Sequence, residues 1–137
     1  MYHTMIVDDE PLMRTYLTQS IPAFSTLFDV SAAAKDGLEA VELLKEIPVD
    51  VVITDIKMPE MDGLSLAKHI HENYPGITVI IISGFSDFEY AQKAIRYNVK
   101  DYLLKPLVDK TLIDLLDTLA ARFERERGTA RFRMTGT

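Results

Sequence analysis

Carboxylates, a hydroxyl and an ammonium group directly follow four of the short apolar segments in this sequence. In chain order these groups belong to Asp8, Asp9, Asp55, Ser83 and Lys105. The carboxyl ends of parallel strands form the edge of a sheet where ligands bind, so these groups are expected to converge there. Three neighbouring carboxylates repel one another and thereby favour a bound divalent cation. Oxygen ligands without Cys or His favour a hard ion, Mg²⁺ or alternatively Mn²⁺.

This set of groups has what phosphoryl transfer to a carboxylate requires. Asp55 would supply the acceptor oxygen, and Lys105 a point charge that can pair with Asp55 or with an incoming phosphate. Ser83 offers a hydroxyl that can donate to a phosphoryl oxygen. Taken singly, these residues have ordinary explanations, because acidic residues often begin helices and follow strands in turns. Those ordinary explanations do not account for the predicted convergence of these residues on one edge of the sheet.

Five apolar segments alternate with five amphipathic stretches along the chain. The predicted strands are Thr4–Val7, Phe28–Ala33, Val49–Thr54, Thr78–Ile82 and Asp101–Leu104. They are mostly continuous runs rich in Val and Ile, as in strands buried on both faces of a parallel sheet. Strict strand–helix alternation with crossovers of helix length predicts a doubly wound α/β domain, with helices on both sides of the sheet.

Residues at helical spacing predict the apolar face of each helix. The predicted faces are Leu12, Tyr16, Leu17 and Ile21; Leu38, Val41, Leu44 and Ile47; Leu64, Ala67, Ile70 and Tyr74; Phe88, Ala91, Ala94 and Ile95; and Leu112, Leu116, Leu119 and Phe123. Pro11 suits a first helical turn, and Asp36 and Asp62, each followed by Gly, suit turns that lead into helices.

The composition is that of one soluble domain. The chain has 137 residues, of which 47% are apolar and 26% charged, and it has no cysteine, which excludes disulfides and thiolate sites. Its net charge of −6 argues against a direct grip on nucleic acid or an anionic membrane. No apolar segment approaches the ~20 residues of a spanning helix, and the start does not read as a signal peptide. A cytoplasmic module is expected.

The last part of the chain differs from the rest. We predict a domain over residues 1–121, with residues 122–137 forming the end of the last helix and a linker or appended tail. Arg122–Thr137 contains five arginines and little aliphatic content. The apolar residues of the last helix suit core packing better than a coiled-coil seam, although a dimeric extension stays open.

Four motifs resemble the receiver domain of two-component response regulators. They are Ile6-Val7-Asp8-Asp9-Glu10-Pro11; Asp55-Ile56-Lys57-Met58-Pro59 with Met61-Asp62-Gly63; Ile82-Ser83-Gly84; and Tyr102-Leu103-Leu104-Lys105-Pro106. All stand in the family's order and at its spacing, over roughly residues 4–120. The resemblance implies a flavodoxin-like fold whose five-stranded sheet has the order 2-1-3-4-5, flanked by five helices.

The resemblance also implies a role for each matching residue at the acidic edge. Asp55 matches the residue that accepts the phosphoryl group, and Lys105 matches the family's lysine. Mg²⁺ would be held by Asp8, Asp9, Asp55 and the backbone carbonyl of Lys57. Among these, Asp9 would be a direct ligand, and Asp8 would act mainly through water.

Two further residues match the family's switch. Ser83 matches the hydroxyl that moves toward the phosphoryl group, and Tyr102 matches the aromatic residue that then turns inward. The bond between Lys105 and Pro106 would be the family's cis peptide. The protein would thus be a phosphorylation-activated signalling switch, one that takes part in its own phosphorylation and dephosphorylation and is not an enzyme in the ordinary sense.

The resemblance implies partners as well. The phosphoryl donor would be a sensor histidine kinase, and phosphorylation could lead to a homodimer. Residues 83–91 resemble receivers that are joined to helix-turn-helix output domains of the AraC type, so a C-terminal DNA-binding domain is expected in the parent protein.

Three other functions would also suit a chain with part of this pattern. The first is a free-standing receiver that acts on protein partners. The second is a phosphatase of the haloacid dehalogenase type, which needs a second Asp two residues after its nucleophile, where this chain has Lys57. The third is a flavodoxin-like binding module, whose phosphate loop would coincide with Asp8, Asp9 and Glu10, and these carboxylates would repel a phosphate.

Overall fold

The computed structural model describes the backbone of residues 1–84 and 88–135 and the side chains of residues 1–84 and 92–128. Strands and helices alternate throughout, as the sequence predicts. The strands are β1 (Tyr2–Val7), β2 (Phe28–Ala34), β3 (Val51–Asp55), β4 (Thr78–Ser83) and β5 (Asp101–Leu104). The helices are α1 (Pro11–Phe24), α2 (Gly37–Leu44), α3 (Gly63–Asn73), α4 (Phe88–Ile95) and α5 (Asp109–Thr135).

The five strands form one parallel sheet in the order β2-β1-β3-β4-β5. This confirms the predicted fold class and strand order. From β1 the chain first moves outward to β2 and then returns to continue with β3 on the other side. Strand order therefore reverses between β1 and β3, and the carboxyl ends of these two strands border the crevice where α/β sheets of this kind bind ligands.

Two apolar clusters cover the two faces of the sheet. In β1, Met5 and Val7 belong to the cluster that includes α2, α3 and α4, whereas Ile6 belongs to the cluster that includes α1 and α5. Alternate residues of one strand are thus buried on opposite faces, which explains why the central strands are continuous apolar runs. No helix in the described part of the chain combines the length and the apolar character that crossing a membrane demands.

The prediction of the apolar helix faces is wrong for three residues. Leu12, Leu38 and Ile95 are exposed. In α1, Met13 packs against the core in place of Leu12, and in α4, Ala94 is buried next to the exposed Ile95. Consecutive helical residues point about 100° apart, so an error of one residue in helix phase moves a side chain from the core to the surface.

The remaining predicted faces contact the core wherever their side chains are described. Those that are buried are Leu17, Ile21, Leu44, Leu64, Ala67, Ile70, Ala94, Leu112, Leu116 and Leu119. Two predicted members of the α4 face, Phe88 and Ala91, have side chains outside the described residues.

The predicted start of the third strand at Val49 is also wrong, because β3 begins at Val51. Asp50 directly precedes β3, and its side chain is bonded to the backbone of β1. Its carboxylate accepts a hydrogen bond of 2.7 Å from the His3 N–H. Val49 instead packs against the α2–α4 face as a partly buried loop residue.

Aspartates fix the starts of α2 and α3, as the sequence indicated. The Asp36 carboxylate accepts the Glu39 N–H at 2.9 Å, and the Asp62 carboxylate accepts the Ser65 N–H at 2.8 Å. Each satisfies one of the N–H groups that a helix start leaves without an intrahelical partner.

Helix α5 extends through most of the segment that was separated at residue 121. On this helix, the centroid of the Phe123 ring lies 4.8 Å from that of the Tyr2 ring and 6.4 Å from that of the Phe28 ring. The Tyr2 hydroxyl donates to the Glu124 carboxylate, and the Arg127 guanidinium lies 5.4 Å from the centre of the Tyr2 ring. The continuation of α5 is therefore fastened to the first strand. The division of the chain at residue 121 stays a prediction.

Candidate acidic site at the carboxyl edge of the sheet

Three carboxylates meet at the edge formed by the carboxyl ends of β1 and β3. Asp8 directly follows β1, and Asp55 is the last residue of β3. One carboxylate oxygen from each of Asp8, Asp9 and Asp55 lies within 4.8 Å of the other two. Asp8 and Asp55 are buried, whereas Asp9 is exposed and leaves the group accessible from solvent. The structure thus brings together the three acidic residues that the sequence singled out.

Lys105 joins this group from the loop after β5. Its ammonium nitrogen lies 2.9 Å from Asp55 Oδ2 and 3.4 Å from Asp8 Oδ2. A third carboxylate, Glu10 Oε1, lies 3.0 Å from the same nitrogen. Burial by itself lowers the pKa of Lys105, but hydrogen bonds to Asp55 and Glu10 and the charge of Asp8 outweigh it and raise the pKa. Lys105 therefore carries a full positive charge at neutral pH.

The backbone around Lys105 is fixed by its neighbours. Its N–H donates to the Ser83 carbonyl oxygen at 2.8 Å, which ties the end of β5 to the end of β4. The peptide bond between Lys105 and Pro106 is cis, as the resemblance implied. The hydrogen bond to Ser83 gives the Lys105 side chain a defined starting position at the edge of the sheet.

Both carboxylate oxygens of Asp55 accept hydrogen bonds. The N–H of Ile56 donates to Oδ1 at 2.7 Å, and Lys105 donates to Oδ2 at 2.9 Å. The Asp55 carbonyl oxygen accepts from the Thr54 hydroxyl at 2.8 Å. Donors on both sides hold the carboxylate in one orientation.

The surroundings of Asp8 raise the pKa of its carboxyl group. Burial raises its pKa, and the negative charge of Asp55 raises it further. The N–H of Glu10, which donates to Asp8 Oδ1 at 2.9 Å, and the charge of Lys105 act in the opposite direction without cancelling the rise. One lysine is thus too little positive charge for these carboxylates.

The donor set fits a hard divalent cation. It consists of oxygen ligands alone, and it carries uncompensated negative charge that a bound ion would neutralise. Lys57, whose carbonyl the resemblance adds to the ligands, lies two residues beyond Asp55 in the loop before α3, with an exposed side chain. Its part in holding an ion stays a prediction.

The two predicted switch residues lie on β4, which pairs with the strand of Asp55, and on β5, which pairs with β4. Ser83 ends β4 and is fully buried, with its hydroxyl 3.4 Å from the Gly84 carbonyl oxygen. Its neighbour Ile82 pairs with Asp55 across the sheet. Tyr102 lies on β5, is partly buried, and packs against the cluster that includes α2, α3 and α4. Their proposed movements stay predictions.

Two residues of the site received no role from the sequence. The sequence assigned Glu10 no contact within the site, yet its carboxylate accepts a hydrogen bond from Lys105, 95 positions away. Gly63 was assigned to a turn, yet a β-carbon there would lie 2.0 Å from the Asp55 carbonyl oxygen. The third consecutive acidic residue and the Asp-Gly pair after Asp55 were the available signals.

Comparisons with known proteins agree with this geometry. The family model described as the response regulator receiver domain matches residues 4–117. The transcriptional regulatory protein YesN of Bacillus subtilis is 37% identical over 126 residues, which cover 92% of this chain and 34% of that protein. The transcriptional regulatory protein HptR of Staphylococcus aureus is 40% identical over 116 residues, which cover 85% of this chain and 45% of that protein.

A solved structure shows the same fold. The receiver (REC) domain of AraT, a response regulator from Geobacillus stearothermophilus, superimposes with a TM-score of 0.84 at 40% identity, covering 92% of this chain and 98% of that one. The chain spans between about a third and a half of the length of the curated relatives named above. With a family match over most of its length, the same fold and the acidic group at the expected edge, the chain belongs to the family of response regulator receiver domains.

Proposed function

We propose that Asp55 accepts a phosphoryl group from a phosphohistidine of a sensor kinase and that this modification switches the output surface of the domain. The observation that carries the proposal is the joint contact of Lys105 with Asp55 and Asp8, beside Asp9, at the point where strand order reverses. The proposal is supported because the Asp55 carboxylate, the Lys105 ammonium and two further carboxylates lie within a few ångströms of one another.

Phosphoryl transfer to Asp55 forms a bond between a carboxylate oxygen and phosphorus as the bond from phosphorus to the histidine nitrogen breaks. The imidazole leaves as a neutral ring once its other nitrogen carries a proton. Asp8, Asp9, Asp55 and the Lys57 carbonyl would hold Mg²⁺, which would supply charge neutralisation for the transferred group. The Ile56 N–H orients the acceptor carboxylate. As the Asp55 carboxylate becomes an acyl phosphate and loses its charge, the Lys105 ammonium pairs with the phosphoryl oxygens instead.

The acyl phosphate then acts on the neighbouring strands. The Ser83 hydroxyl donates to a phosphoryl oxygen, and Tyr102 turns toward the space that this movement opens. Support comes from position, because Ser83 is next to the residue that pairs with Asp55, and Tyr102 pairs with Ile81 of the same strand. A local change in charge thereby biases two arrangements of the surface that contains α4, β5 and α5.

The output of the parent protein is proposed from its relatives. YesN and HptR are transcriptional regulatory proteins, and this chain spans only 34% and 45% of their lengths. A C-terminal DNA-binding domain, of the AraC type suggested by residues 83–91, would read DNA in the cytoplasm, and phosphorylation would promote a homodimer. Residues 85–87 of that segment lie outside the described residues. A free-standing receiver that acts on protein partners is the competing assignment.

Intact-mass spectrometry after incubation with phosphoramidate and Mg²⁺ tests the phosphoacceptor. The wild-type chain should gain one phosphoryl group, which acid or base removes, and Asp55→Asn should gain none. Asp114→Asn, which removes an exposed carboxylate on α5, is the matched control and should behave as wild type. Equal labelling of Asp55→Asn would refute the assignment. Hydrolysis of a phosphate monoester such as p-nitrophenyl phosphate over many turnovers would favour the phosphatase alternative instead.

A further inference from the structure

We propose that Glu10 holds Lys105 before phosphorylation and gives way to the phosphoryl group, so that its carboxylate slows phosphoryl transfer to Asp55. Glu10 would then be a positioning residue that acts through Lys105. This inference rests on the proposed function, because it concerns the rate of the same reaction.

The contacts of Lys105 leave little capacity for a new acceptor. A lysine ammonium has three N–H donors and accepts nothing. Three carboxylate oxygens surround this one, from Asp55 at 2.9 Å, from Glu10 at 3.0 Å and from Asp8 at 3.4 Å. A phosphoryl oxygen that approaches Lys105 must therefore compete with these carboxylates for the ammonium donors.

Glu10 is the carboxylate that can withdraw most easily. Its side chain is 61% exposed, whereas those of Asp8 and Asp55 are 2% and 10% exposed. Glu10 is also outside the group of three carboxylates whose oxygens lie close enough to share a cation. Its carboxylate can thus return to water without leaving a buried charge unpaired.

The Glu10 carboxylate accepts a hydrogen bond from Lys105 and none from the first turn of its own helix. Glu10 is the N-cap residue of α1, and an acidic side chain at that position commonly accepts an N–H of the first turn. Here the side chain makes no capping hydrogen bond, and it reaches instead across the site to Lys105. Substitution of Glu10 therefore removes no bond from the helix start.

The charge of Glu10 adds a second obstacle to transfer. Its carboxylate lies 3.0 Å from the ammonium that would receive the phosphoryl oxygens, and it carries the same sign of charge as the incoming group. Removing it should both release a donor of Lys105 and reduce repulsion. Because the Glu10 side chain is largely exposed, the pair should be worth no more than about a 2- to 5-fold change in rate.

The test compares Glu10→Ala and Glu10→Gln with wild type in phosphorylation by phosphoramidate at saturating Mg²⁺. Phosphoramidate is small, so kinase docking does not enter. In this reaction the bond from phosphorus to nitrogen breaks and ammonia leaves. Glu10→Ala should be phosphorylated about 2- to 5-fold faster at low salt, with a smaller gain at high salt as charges are screened. Glu10→Gln, which keeps a neutral acceptor, should fall between Glu10→Ala and wild type.

The control is Glu42→Gln, which removes another exposed carboxylate that pairs with a lysine, Lys45, on α2. It should leave the rate unchanged. A second measurement needs neither donor nor metal, namely the side-chain ¹⁵N resonance of Lys105. This resonance should shift and its ammonium protons should exchange faster with water in Glu10→Ala, and it should not change in Glu42→Gln.

The outcomes separate this inference from the function on which it rests. A Glu10→Ala rate that is equal to or below the wild-type rate, or an unchanged Lys105 resonance, would overturn the role of Glu10 while leaving Asp55 as the acceptor. A wild-type chain that is not phosphorylated at all, or an Asp55→Asn variant that still is, would overturn the proposed function itself.

Discussion

Gly63 approaches Asp55 so closely that a β-carbon on Gly63 would stand 2.0 Å from the Asp55 carbonyl oxygen. The Gly63 N–H donates to the Ile56 carbonyl oxygen at 2.8 Å, so the first residue of α3 is bonded to the end of the strand that carries the candidate phosphoacceptor. Any larger residue must push the helix and the strand end apart. The position of Asp55 thus depends on the absence of a side chain eight residues later.

Replacing Gly63 with Ala should destabilise the fold, because the new methyl group meets backbone atoms that cannot rotate away. We expect a loss of about 1–3 kcal/mol in the free energy of unfolding, as for overpacking of a close contact. Urea denaturation measures it. Gly76→Ala is the matched control, since a β-carbon there meets nothing within 4 Å. Equal effects of the two substitutions would show that the contact with Asp55 is not the cause.

Mg²⁺ should stabilise the folded chain, because it neutralises carboxylates that are crowded only in the folded state. At ten times its dissociation constant, the ion should add about 1.4 kcal/mol. Asp9→Asn should abolish most of this gain, and because Asp9 is exposed the core is left intact. Thermal unfolding with and without Mg²⁺ measures the gain, with Asp114→Asn as the control that keeps it. An undiminished response in Asp9→Asn would exclude Asp9 as a ligand.

The Tyr16 hydroxyl, on α1, donates to the Asp109 carboxylate at the start of α5. Burial, followed by this hydrogen bond, raises the pKa of Tyr16 from 10.0 to about 12. A tyrosine whose pKa is raised by folding contributes stability that is fully present below its unfolded value. That stability is lost as the pH rises from 10.0 toward about 12.

Absorbance titration of the phenolate checks this prediction. Tyr16→Phe should remove one late-ionising tyrosine and should flatten the loss of stability over that alkaline range. Tyr97→Phe leaves the bond between Tyr16 and Asp109 in place, so it should keep the late phase. Persistence of the late phase, unchanged in amplitude, in Tyr16→Phe would contradict the assignment.

Tyr2 should fix the continuation of α5 against the first strand. Tyr2→Phe loses only the hydroxyl bonded to Glu124 and should cost about 1 kcal/mol. Tyr2→Ala also loses the ring that packs on Phe123 and should cost about 3 kcal/mol. Hydrogen exchange of residues 122–128 should accelerate in the order wild type, Tyr2→Phe, Tyr2→Ala. Equal exchange in all three would mean that this part of α5 is held by other contacts.

The sequence was sufficient to predict the sheet and the meeting of its acidic residues. Asp8, Asp55 and Lys105 each follow an apolar strand, and parallel strands present the residues at their carboxyl ends on one edge whatever their separation along the chain. Their convergence therefore follows from topology alone, and the observed contacts of Lys105 agree with it. The roles of the residues in phosphoryl transfer stay predictions that the experiments above address.

What could not be predicted depends on side-chain direction and close packing. Leu12 and Ile95 are exposed because the phase of a short helix is set by its docking, which the spacing of apolar residues fixes only to within about one residue. Glu10 meets Lys105 through the direction that its side chain takes in the folded chain, and no local pattern encodes a contact across 95 positions. The need for Gly63 arises only when α3 docks against β3.

Chemical trapping of the acyl phosphate tests the central claim most directly. The chain is phosphorylated with phosphoramidate and Mg²⁺, then reduced with borohydride, which converts an aspartyl phosphate to homoserine, and the converted residue is located by peptide mass spectrometry. The account predicts homoserine at position 55 and at no other aspartate. Conversion at Asp8 or Asp9 with Asp55 intact, or no conversion in a chain that has taken up phosphate, would contradict it.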